Sequence, residues 1–61
     1  MESKLKTIRK EKNMSQAELA EKSGVSRATI ANIERGTQVE LLLGTVTKLA
    51  NALDVSISEV V

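Results

Sequence analysis

The sequence predicts an all-α domain built from five short helices. Apolar residues recur three and four positions apart, the spacing that lines a helix face, while strand signals are poor. Serines stand just ahead of the apolar runs and glycines just behind, as helix start and stop signals do. The 61 residues hold no proline, no low-complexity tract and no internal repeat, so residues 1–61 read as a single domain without a linker.

A first helix is expected from about Ser3 to Lys12, with Leu5 and Ile8 on one face and Lys4, Lys6, Lys10 and Lys12 around them. Asn13 and Met14 supply the turn that follows. Ser15-Gln16-Ala17-Glu18 then reads as a capping box, in which the serine hydroxyl accepts a free amide of the first turn and Glu18 reaches back. This second helix should run to Lys22 or Ser23, where Gly24 tolerates a positive φ. The third helix takes Ser26 as its N-cap and ends near Arg35, with Gly36 as its stop and Ile30 and Ile33 facing inward. Two starts are open for the fourth. Thr37-Gln38-Val39-Glu40 can act as a capping box, which places Gly44 inside the helix at a cost near ~1 kcal/mol. Alternatively Leu41 and Leu42 lie in a loop and the helix starts near Gly44 or Thr45, the start adopted here. It ends at Leu53 and buries Val46, Leu49, Ala50 and Leu53. Ser56-Ile57-Ser58-Glu59 repeats the capping-box pattern and opens a short fifth helix bearing Ile57 and Val60.

Composition excludes several classes. The longest strictly apolar run is Leu41-Leu42-Leu43, far short of the ~20 residues of a membrane helix. No apolar stretch follows the basic start, so no signal peptide is read and the expected compartment is the cytoplasm. With no Cys and no His there is neither disulfide nor zinc site, and no metal or other cofactor is expected. The carboxylates and serines form no evident pair with a general base, so an enzyme with a small-molecule substrate is not expected. Missing aromatics remove base-stacking platforms and argue against most single-strand and RNA readers. Net charge is only +1, but residues 1–12 carry +3 and residues 13–61 carry −2. Positive charge is therefore local.

The second and third helices carry a sharper signal. Ala20 stands where two crossing helices approach most closely, Gly24 follows at the tight turn, and Val25, Ile30 and Ile33 anchor the second helix on the first. Small residue, glycine turn and buried aliphatics together describe a helix-turn-helix unit. With Ile8-Arg9-Lys10-Glu11-Lys12, Ser15-Gln16-Ala17-Glu18-Leu19-Ala20, Gly24-Val25-Ser26-Arg27, Ile33-Glu34-Arg35-Gly36, Lys48-Leu49-Ala50 through Leu53 and Val55-Ser56, the chain resembles the phage-repressor and Cro-like helix-turn-helix domains, the XRE family. The resemblance implies a compact five-helix repressor-like domain that binds double-stranded DNA and usually represses transcription.

The resemblance also implies residue roles. A recognition helix lies in the major groove with its N-terminal residues at the base edges, which assigns Ser26, Arg27, Ala28, Thr29 and Asn32 to base contact. Arg27 can grip guanine bidentately, Asn32 can pair with adenine, and Ala28 or the Thr29 methyl can touch a thymine methyl. Phosphate contacts are expected from Ser15 and Gln16 at the start of the second helix, and from Arg35, Thr37 and Gln38 after the recognition helix. Lys6 and Lys10 read equally as electrostatic helpers or as a solvated face. Arg9 and Glu34 match positions that form a largely buried ion pair in the family, so both are read as structural.

Val39-Glu40-Leu41-Leu42-Leu43-Gly44 departs from the family, which often places a proline, a cap and basic residues there. Modest affinity is therefore expected from one protomer. Repressors of this type act as two-fold dimers on pseudo-palindromic sites. Leu41, Leu42, Ile57, Val60 and Val61 are the expected self-association residues. The expected function is a sequence-specific transcriptional regulator that represses as a homodimer. The alternative is an antitoxin-like or purely protein-interacting helical module with weak or lost DNA binding, with a toxin as its partner in the antitoxin case.

Overall fold

Residues 4–36 and 43–60 are described by a computed structural model, and within them the chain forms five helices: α1 Lys4–Glu11, α2 Gln16–Ser23, α3 Arg27–Arg35, α4 Leu43–Leu53 and α5 Ile57–Val60. The first three occupy the expected positions. The capping box of α2 is complete, with the Ser15 hydroxyl accepting from the Glu18 N–H and the Glu18 carboxylate accepting from the Ser15 N–H, both at 3.0 Å. Only half of the second box forms. Glu59 accepts from the Ser56 N–H at 2.8 Å, but the Ser56 hydroxyl turns toward that carboxylate and toward Ser58.

Helix ends are set by left-handed residues. Gly24 and Gly36 lie at φ 77° and 76° and close α2 and α3. Asn13 and Asp54 do the same work at φ 57° and 58°. The Met14 and Val55 N–H groups reach the carbonyls of Arg9 and Ala50 at 3.1 and 3.0 Å, the long bond of a Schellman ending. Asn and Asp are the non-glycine residues best suited to that conformation.

The core is wholly aliphatic. Leu5, Leu19, Ile30, Leu49 and Leu53 are fully buried, joined by Val25, Val46, Ala50, Ala52 and Val60. Ile8, Met14, Ala20, Ile33 and Val55 pack against this cluster. Helix α2 rests on both α3 and α4, α4 on α5, and α1 on α3 and α5. The short connections therefore wrap five helices around one centre, and α3 is held from two sides.

Two expectations need adjustment. Helix α4 starts at Leu43, one residue ahead of the Gly44 start adopted from sequence; the earlier start at Thr37 lies outside the described residues. Leu43 itself is 70% exposed. Val60, expected at a partner surface, is only 7% exposed and belongs to the core. On a helix of only four residues, the apolar side facing α1 and α4 takes Val60 and leaves Ile57, 37% exposed, on the outside. Leu41, Leu42 and Val61 lie outside the described residues, as do Thr37 and Gln38.

Candidate nucleic-acid interface

The start of α3 is exposed and well anchored. Ser26 is its N-cap, accepting from the Thr29 N–H at 3.1 Å and donating to the Thr29 hydroxyl at 2.8 Å. The hydroxyl is thus committed to the cap, and at most one lone pair is left to meet a base edge. Arg27 and Ala28 stand exposed beside it, while Thr29 and Asn32 are half-buried. Asn32 and Arg35, assigned separately to base and phosphate, are joined: the Arg35 guanidinium donates to the Asn32 Oδ1. Three residues apart on one helix, they are neighbours by geometry alone.

Arg9 and Glu34 form the expected ion pair. Arg9 Nε donates to Glu34 Oε2 at 2.7 Å and an Arg9 Nη2 proton to Oε1 at 3.0 Å, a bidentate arrangement. The two side chains are 10% and 3% exposed. Sequence reasoning missed two further partners. Arg9 Nη1 donates to the Met14 carbonyl at 2.7 Å, and the Gln16 amide nitrogen donates to Glu34 Oε1 at 3.1 Å. The carboxylate therefore ties α1, the start of α2 and α3 into one knot. No buried polar side-chain atom among the described residues lacks a partner.

Titration follows from this knot. Burial acts to raise the Glu34 carboxyl, but hydrogen bonds from Arg9 and Gln16 and the charges of Arg9 and Lys6 outweigh it and hold the group below the usual glutamate range. The hydrogen bond to Glu34 raises Arg9 in turn. At the start of α2, the backbone and side chain of Ser15 lower Glu18. A carboxyl depressed in the folded state contributes stability that is intact above its unfolded value, near ~4.3, and lost as pH falls through the folded value. Urea unfolding should show stability level from pH ~7 to ~5 and declining below that. The double variant Arg9→Met/Glu34→Leu should have a shallower acid limb than the wild type; identical limbs would remove Glu34 from this account.

One other surface fits a polyanion poorly. An open recess lined by Met14, Glu18, Glu21 and Lys22 presents two carboxylates. Among the described residues no group of acidic side chains is arranged to hold a metal ion, and no helix is long and apolar enough to cross a membrane.

A family described as helix-turn-helix matches residues 5–60 of the chain. The chain belongs to the phage-repressor-like helix-turn-helix family. As such a domain it is similar to the HTH-type transcriptional regulator SinR of Bacillus subtilis (strain 168), with 41% identity over 54 residues, covering 88% of this chain and 49% of that protein. It is also similar to the immunity repressor protein of Bacillus phage phi105, with 40% identity over 58 residues, covering 95% of this chain and 40% of the phage protein. This helix-turn-helix chain therefore spans about half the length, or less, of the curated relatives it matches. Among solved structures it superposes on the restriction-modification controller protein C.AhdI from Aeromonas hydrophila with a TM-score of 0.88 and 36% identity, covering 95% of this chain and 86% of that one. The relatives carry the names of regulators and a repressor, not of enzymes.

Proposed function

We propose that this helix-turn-helix chain binds double-stranded DNA and regulates transcription as a repressor, by laying α3 in the major groove. The observation that carries this reading is the division of α3 into two sectors. Ile30, Ile33 and Glu34 fasten it inward, while Arg27 and Ala28 stand exposed at its capped N-terminus. That is the end from which a recognition helix reads base edges. Arg27 is the anchor for a guanine, Ala28 meets a thymine methyl, and the joined Asn32 and Arg35 serve as one polar unit further along. Ser15 and Gln16 at the start of α2, with Thr37 and Gln38 after α3, supply phosphate contacts. Two copies bind a pseudo-palindrome with half-sites ~34–36 Å apart. Leu43 and Ile57 are exposed apolar residues available to join them; Leu41, Leu42 and Val61, outside the described residues, are assigned to the same role from the sequence.

Selection of bound sites from random duplexes tests this directly, since it yields the site, any palindrome and the half-site spacing together. On the selected site, Arg27→Ala should weaken binding by about 1–3 kcal/mol, with melting unchanged within about 0.5 kcal/mol. Affinity should fall steeply with added salt. Salt-insensitive binding to a protein, with none to duplex DNA, would instead select the protein-interaction reading that exposed Leu43 favours.

A further inference from the structure

The expected ion pair needs only Arg9 and Glu34, yet Gln16 joins it from the start of α2. Proton bookkeeping shows what that does to the amide. An ionised carboxylate only accepts hydrogen bonds, so the amide nitrogen of Gln16, never its oxygen, must face Glu34. One Nε2 proton points at Glu34 Oε1, which lies 3.1 Å from the nitrogen. The second proton of the same nitrogen diverges from the first and points away from the carboxylate. No described residue accepts it. Without Glu34 the amide is free to flip, and half of its orientations would present an oxygen to an anion.

From this geometry we infer that Glu34 is a positioning residue for the phosphate contact of α2: it fixes the Gln16 amide so that one nitrogen donates to the carboxylate and to a DNA backbone phosphate at once. The inference rests on the duplex-binding function proposed above. Arg9 completes the device. Its guanidinium, bidentate on Glu34, neutralises the carboxylate, so that no uncompensated negative charge lies behind the amide as the phosphate approaches. A buried ion pair that joins α1 to α3 therefore also sets the hydrogen-bond polarity of a side chain on α2.

The test is an amide NMR titration of the full chain with a random-sequence duplex at low salt. The two Gln16 Nε2 proton signals are assigned by their loss in Gln16→Met. In the free chain one proton should be protected from solvent exchange and well separated from the other. On adding duplex, the protected proton should hold its position while its partner shifts. In Glu34→Gln, checked for folding by circular dichroism, the protection should vanish; if that variant does not fold, the wild-type titration decides alone. Gln16→Met should bind duplex about tenfold more weakly, the scale of one hydrogen bond to a charged group. If the protected proton is released by DNA, or neither proton moves in a chain that binds duplex, the positioning role is overturned and the DNA-binding reading stands. A wild-type chain that binds no duplex overturns both.

Discussion

Arg9→Met should destabilise the chain by about 3–5 kcal/mol, the usual consequence of stripping one partner from a buried ion pair. Methionine fills most of the same volume, so the loss is electrostatic rather than steric. It strands the Glu34 carboxylate, whose side chain is 3% exposed, with the Gln16 amide as its remaining hydrogen-bond donor and Lys6 as its remaining positive charge. It also removes the donor on the Met14 carbonyl. A domain of this size has roughly 3–9 kcal/mol of stability in all, so the variant should be largely unfolded near physiological temperature. Thermal unfolding followed by circular dichroism checks this. Replacing both partners, Arg9→Met with Glu34→Leu, should recover much of the loss, because no charge is then left buried. A single variant that melts with the wild type would show the pair to be ornamental.

Leu19→Ala should be nearly as damaging, at about 2–5 kcal/mol. Leu19 is the one residue of α2 in the buried core, and it has no exposed surface. Helix α2 packs on both α3 and α4, so the truncated side chain leaves a void at the junction of three helices. The close-packed core can relax into such a space only in part. Denaturant unfolding should show a lower midpoint with an unchanged slope. A loss below ~1 kcal/mol would mean that α2 is held mainly by its polar contacts instead.

Much of this architecture was legible because short-range chemistry wrote it. Ser15, Ser26, Gly24 and Gly36 act within one turn of their own positions, and so α2 and α3 could be bounded from local residues alone. Val46, Leu49, Ala50 and Leu53 followed from helical period. The Arg9–Glu34 pair came from family resemblance, since no local rule joins residues 25 apart. Its extensions to Met14 and Gln16 were invisible because they depend on how three helix ends converge. Val60 was misplaced for a related reason: on a four-residue helix, periodicity cannot tell which apolar residue faces in. Asn32 with Arg35 was within reach, for their three-residue spacing makes them neighbours on any helix.

The two sectors of α3 have a consequence for how such a domain can diversify. Arg27 and Ala28 are exposed and lie outside the buried knot and the core, so changing them asks nothing of the fold. Under the function proposed above, a chain with new residues there would acquire a new target while inheriting the same melting behaviour. Thr29 and Asn32 are less free. The first is bonded to the cap and the second to Arg35, so a new residue at either position calls for a matching change in its partner. Drift in target preference should therefore proceed singly at the first pair of positions and in coupled steps at the second.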